Sequence, residues 1–199
     1  KRLSLFRQPV FLLVLMAFAM PITFSVWMAL LNNFVIEVGG FTGVEIGWLH
    51  TVREIPGLLS VGIIFLLIYL NEQLLAALAL ILLGVASGLT AFFPNFSGII
   101  ILTFLASVGF HYFEAANQSL QLQWINKSKA PQILGWISAV GSLSSLIAYS
   151  ALVVTWKTLN LSFSFVYITS GLVTVIIAVV CIVFYPRIET SHVQVRKMI

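Results

Sequence analysis

The sequence predicts an all-α, polytopic membrane protein: a single bundle of six transmembrane helices over residues 1–199. Three observations carry that prediction. Of the 199 residues, 60% are hydrophobic and only 8% charged, against about a quarter charged in soluble domains. Mean hydropathy is +1.09. The apolar residues fall into six runs, each long enough for the ~20-residue helix that crosses a bilayer. Nothing remains for a soluble catalytic domain.

The runs cover about 8–34, 44–70, 74–93, 97–125, 131–155 and 161–185. The first is too long for a signal-peptide core and has no small-residue cleavage site after it, so it is read as a retained helix. The breaks are Glu37 to Gly43, Asn71 to Gln73, Pro94 and Asn95, Asn126 to Ala130, and Lys157 to Asn160. Most are short, which makes consecutive helices antiparallel neighbours. Placing the N-terminus in the cytoplasm puts Lys1, Arg2, Arg7, Lys127, Lys129, Arg187, Arg196 and Lys197 inside and only Lys157 outside. The positive-inside rule therefore predicts both termini cytoplasmic.

The first span carries Pro21, Thr23, Ser25, Trp27, Asn32 and Asn33, with a kink expected at the proline. In the second, Arg53, Glu54, Pro56 and Gly57 fall within a turn and a half. Proline removes an amide donor and clashes one turn back, at Val52, so the helix is expected to kink or open beside the charged pair. Adjacent helical residues point in different directions, so Arg53 and Glu54 are expected to have different partners. Arg53 reads equally as a substrate group or as an outer gate pairing with Glu37 or Glu45.

The fourth span is the richest. Ser107, His111, Glu114, Gln118 and Gln121 recur at steps of four and three and share one face, with Asn117 beside them. A charged side chain at mid-membrane costs about 2.5–3.5 kcal/mol even on insertion scales, and such residues mark paths for ions or substrate. A carboxyl is a costly way to glue helices together, so Glu114 is read as functional; for His111, function and interhelical bonding stay open. Arg53 and Glu54 are expected in an outer layer, His111 and Glu114 in a deeper one.

In the fifth span, Gly135, Ser138, Ser142, Ser145 and Tyr149 form a small, hydroxyl-bearing stripe read as helix packing. The third and sixth spans carry no ionisable residue in their interiors. They are expected to face lipid while the first, second, fourth and fifth surround a cavity. Enzyme readings fail, because the chain has no Asp, no nucleophile elbow and no phosphate-cradling loop. No catalytic residue, cofactor or metal is expected: one His and one Glu three apart fall short of zinc's three or more ligands. The single Cys181 permits no internal disulfide. The positives read as topology signals rather than a nucleic-acid patch.

Six spans with polar first, second, fourth and fifth helices resemble one half of a major facilitator superfamily transporter. The segment Gly109 to Trp124, GFHYFEAANQSLQLQW, with Arg53-Glu54-Ile55-Pro56-Gly57, is similar to a bacterial branch of that superfamily. The resemblance covers the whole chain. It implies the N-terminal half of a secondary transporter, working by alternating access with or without proton coupling, in a bacterial cytoplasmic membrane. A second six-helix half, in the same protein or a partner chain, would close the substrate path.

The departures are specific. Tyr69 to Leu74 reads YLNEQL, without the Asp and Arg of the family's loop motif, and Leu105 stands where many proton-coupled members have an Arg. The drug antiporters' Gly-Pro signature is echoed only by Gly135 and Gly141, so drug:proton antiport is not favoured. Two other readings stay open: a non-transporting six-helix scaffold subunit, and a half-size transporter acting as a dimer.

Overall fold

The computed structural model describes residues 8–184. The terminal charges counted for orientation, Lys1, Arg2, Arg7, Arg187, Arg196 and Lys197, lie outside the described residues. Among those described, the chain is all-helical: α1 (Pro9–Glu37), α2 (Gly43–Leu58), a 3-10 turn (Leu59–Gly62) running into the short α3 (Ile63–Leu67), α4 (Glu72–Leu89), α5 (Phe96–Trp124), α6 (Ala130–Thr158) and α7 (Phe163–Val183). With α2 and α3 counted as one, six helices are long and apolar enough to cross a membrane. The protein is an integral membrane protein.

Polar residues in the breaks start the helices. Asn71 Oδ1 accepts from the Leu74 amide at 2.9 Å, Asn95 Oδ1 from Gly98 at 2.8 Å and Ser162 Oγ from Phe165 at 3.2 Å, satisfying amides that a helix start leaves without partners. Glu45 is engaged in the same way: its Oε2 accepts from both the amide and the hydroxyl of Thr42 at 2.6 Å. It caps α2 and is not a partner of Arg53.

Two apolar clusters set the alternation. One gathers Trp27, Leu31 and Phe34 of α1 with Leu49, Leu83, Ile99 and Tyr167. The other gathers Leu12, Leu13 and Met16 of α1 with Leu80, Phe113, Leu120 and Cys181. Successive spans thus run up and down, and Pro9 and Val183 end on the same face of the bundle. Between the clusters lies a belt of buried hydroxyls. Thr23 Oγ1 donates towards the Ser170 carbonyl and Thr174 Oγ1, both at 2.8 Å, and Thr174 Oγ1 donates to the Ala19 carbonyl at 2.7 Å. Ser144 Oγ donates to the Phe18 carbonyl at 2.6 Å. Thr23, Ser25 and Trp27 are all consumed in such ties, Ser25 with Ser145 and Trp27 with Thr90.

The helices form an open series, α2–α5–α4–α7–α1–α6, with α1 also touching α4 and α5. This corrects the expected division between lipid-facing and cavity-lining spans. The third span is the most buried: 61% of its most apolar 18-residue stretch is inside the bundle, against 11% for the second span and 17% for the fifth. Small residues are the reason. At Gly84 an added Cβ would stand 2.7 Å from the Gly171 carbonyl oxygen, and at Gly109 it would stand 2.6 Å from the Leu83 amide nitrogen. Such close approach excludes lipid between backbones. The sixth span keeps an outward face of Leu172, Ile176 and Val179, as expected.

α1 runs unbroken through the buried Pro21. α2 likewise continues through Pro56 and tightens only at Leu59, three residues beyond the proline rather than beside the charged pair. There Ser60 Oγ donates to the Gly57 carbonyl at 2.7 Å and Tyr112 Oη to the Leu59 carbonyl at 3.1 Å.

Candidate functional site

The site assembles on the open side of the bundle, where α2 crosses α5 and the end of α1 comes in behind. Three α5 side chains dock onto the backbone of α2 and of the 3-10 turn that follows it. Ser107 Oγ donates to the Arg53 carbonyl, the His111 ring lies against Gly57, and Tyr112 reaches Leu59 and Gly62. Gly57 is there for its missing side chain: a Cβ would stand 3.0 Å from His111 Cε1.

Arg53 Nε and Nη2 both donate to Glu54 Oε1, at 3.0 and 2.8 Å, while Nη1 points to Met28 Sδ on α1 at 3.4 Å. The expectation of different partners is therefore corrected. The Cβ atoms of adjacent residues do diverge, but the long guanidinium stem bends round the helix to meet its neighbour. The pair is partly open, with side-chain exposures of 22% for Arg53 and 64% for Glu54. Behind it, Phe24 of α1 stacks on Phe110 at 4.2 Å, and Phe110 meets the His111 ring edge-on at 5.0 Å.

The His111 ring against Gly57 stands beside the turn that carries Arg53 and Glu54, and His50 lies one turn before them on α2. The expected two layers are thus regrouped as three α2 residues with His111, leaving Glu114 apart. Both groups sit near the middle of their spans. With a rise of ~1.5 Å per residue, Arg53 lies ~3 Å from the middle of the Gly43–Leu67 span, and His111 and Glu114 ~1.5 and ~6 Å from the middle of Phe96–Trp124. Glu114 is partly buried and takes part in neither the ion pair nor any hydrogen bond among the described residues. An unpaired carboxyl at that depth is what a bilayer tolerates least without a function.

Of the remaining polar residues on this helix, Gln118 is exposed and Gln121 partly buried, along the same open face. Asn117 is buried at its edge. His50 is a residue of this cluster that was not among the expected site residues. Its spacing of three and four to Arg53 and Glu54 was the available signal, and its Nδ1 is shielded with no hydrogen-bond partner.

The packing stripe of the fifth span is rotated from where it was expected. Gly135, Ser138 and Ser142 are exposed, and a Cβ at Gly135 would meet nothing within 4 Å. The edge that packs on α1 is Ile137, Gly141, Ser144 and Ala148, one residue or ~100° round the helix; Ser145 alone of the expected set is engaged, to Ser25 Oγ at 3.1 Å. The choice of edge follows from Ser144, whose hydroxyl reaches a carbonyl of α1.

A groove of about 320 Å³ lies between α6 and α7, one of about 240 Å³ between α4 and α7, and one of about 340 Å³ beside α3, and Arg53, Glu54, His111 and Glu114 line none of them. The ionisable residues face the side of the bundle bounded by α2 and α6, which are not packed against each other. α2 and α6 also expose apolar side chains, Leu58 on the first and Leu146 and Val153 on the second.

No family model, curated protein or solved structure matches this chain.

Proposed function

We propose that the chain is the N-terminal half of a secondary active transporter that moves a small solute by alternating access across a bacterial cytoplasmic membrane, both ends inside. A second six-helix half, in the same polypeptide or in a partner, covers the opening between α2 and α6 and completes the solute path. Glu114 carries the coupling charge, and His111 with the Arg53–Glu54 pair binds the polar groups of the solute or holds the outer gate. The observation that supports this most directly is the unpaired carboxyl of Glu114 near the middle of its span on the open side of the bundle. Lipid contact there would cost ~2.5–3.5 kcal/mol per charge, whereas a water-filled path between two halves removes that cost. The exposed apolar side chains of α2 and α6 suit helix-to-helix burial on either side of such a path.

The test is proton flux in vesicles containing the full-length protein and a pH-sensitive dye, challenged in turn with zwitterions, anions and small cations. One class is expected to drive a flux, with Glu114→Gln reducing it at least about tenfold and Arg53→Ala raising the solute concentration needed; tenfold corresponds to ~1.4 kcal/mol of lost interaction. Uptake and pH dependence unchanged in both variants would overturn the site assignment. Flux with no solute class in the unaltered protein would favour the scaffold reading.

A further inference from the structure

Asn117 lies one helical turn beyond Glu114 on α5. It is 7% exposed, and its Oδ1 is fully shielded with no hydrogen-bond partner. Residues three apart on a helix have Cβ atoms ~5–6 Å apart, and side chains lean towards the helix N-terminus. The Asn117 amide therefore leans over the turn that carries Glu114. Asn117 Nδ2 donates to neither Glu114 oxygen, so while Glu114 is ionised its two oxygens and Asn117 Oδ1 are all acceptors that receive no hydrogen bond among the described residues. A proton on Glu114 changes that, because a carboxylic acid has an O–H to give.

We infer that Glu114 and Asn117 form a proton-binding pair in which the protonated carboxyl donates its hydrogen bond to Asn117 Oδ1, making Asn117 the positioning residue of the coupling site. This deepens the transporter reading above and names its coupling ion. A proton fits better than a metal cation. The pair offers three oxygens, whereas hard cations such as calcium gather six to eight, and the backbone carbonyls of a regular helix are already engaged. The other charged groups are few. His111 is on the same helix; His50, Arg53 and Glu54 face it from α2; α4 brings only Glu72, which accepts from Gln123 at 3.2 Å; and α1 brings no ionisable residue before Glu37.

The test is an infrared pH titration of the full-length protein in lipid nanodiscs, and it needs no knowledge of the solute. A protonated-carboxyl band is expected that Glu114→Gln removes. The hydrogen bond favours the protonated form, so deleting the acceptor with Asn117→Leu moves the midpoint of that band to lower pH, by about half to one unit. Asn117→Gln, which keeps an amide oxygen, moves it less. Should the Leu variant fail to assemble, Asn117→Ala removes the acceptor without added bulk and reads the same shift. An unmoved midpoint in both acceptor-free variants overturns the role of Asn117 and leaves transport untouched. A midpoint that depends on sodium against choline overturns the proton in favour of a metal cation. A shifted band in a protein that moves no solute upholds the pair while defeating the transporter reading.

Discussion

The second and third spans have opposite characters, and each lies where its polarity would not have placed it. α4 is apolar from Leu74 to Leu89 yet is the most enclosed helix. The second span holds His50, Arg53 and Glu54 yet has only 11% of its apolar stretch buried in the bundle, against 61%. In a bilayer, apolar side chains gain little by leaving lipid for protein, because lipid tails are as apolar as leucine. Shape decides instead, and α4 is lined with Ala76, Ala77, Ala79, Gly84, Ala86 and Gly88, all buried or closely packed. Its neighbours approach to backbone contact. The second span has charges that cannot be given to lipid and that its own bundle does not enclose, which is the arrangement of a surface awaiting water, a solute or another protein.

The largest expected effect comes from spoiling the close seam. A Cβ at Gly171 would overlap the Gly84 carbonyl, and one at Gly84 would stand 2.8 Å from Val175 Cγ2 as well as against the Gly171 backbone. Backbone cannot step aside as a flexible side chain can, so Gly171→Val should cost about 3 kcal/mol or more, read as a lower midpoint of thermal unfolding in detergent or as failure to assemble. Gly135→Val, with open space round it, should leave the midpoint where it is. Equal midpoints for the two variants would show that the seam is looser than its geometry.

A smaller effect is expected in the hydroxyl belt. Thr174→Val keeps shape and removes a hydroxyl that donates to the Ala19 carbonyl and accepts from Thr23. Interhelical hydrogen bonds in membranes contribute ~0.6–1.7 kcal/mol, so a loss near 1 kcal/mol is expected, a third of the seam's. A loss above that of Gly171→Val would reverse the ranking and make the hydroxyl ties between α1 and α7 outweigh the close approach between α4 and α7.

The contrast also explains what could be read in advance. Span limits were legible to within a few residues because Asn71, Asn95 and Ser162 are both polar punctuation and the acceptors that cap the next helix. The charged residues were legible singly, since any ionisable group in an apolar run is conspicuous. Their grouping was not: Arg53 reaching Glu54 depends on a flexible stem, and His111 nesting on Gly57 depends on which two helices cross. The burial of α4 was illegible for a deeper reason. Hydrophobic patterning separates inside from outside only when the outside is water.

The ion pair itself should matter little for stability. Glu54 is 64% exposed and Arg53 22%, and solvent screening holds such pairs to ~0–1 kcal/mol. Glu54→Gln is therefore expected to shift unfolding by less than Thr174→Val does, while impairing solute-driven flux. A variant that unfolds readily would make the pair a structural clasp between α1 and α2 through Met28, and would weaken the contrast between a structural seam and a functional face.

The finest contrast is between residues only two positions apart on α6. Ser144 is buried and bonds the Phe18 carbonyl at 2.6 Å, so Ser144→Ala should cost ~1 kcal/mol. Ser142 and Ser138 are exposed on the opening beside α2, and Ser142→Ala and Ser138→Ala should each change stability by less than ~0.5 kcal/mol. The comparison is sensitive because the three substitutions delete the same atom from the same helix, leaving environment as the only variable. A loss at Ser142 equal to that at Ser144 would mean that another helix grips this face through its hydroxyls. The opening would then be a packed interface rather than the wall of a wet path, and the charged residues of α2 would have to be explained as buried contacts.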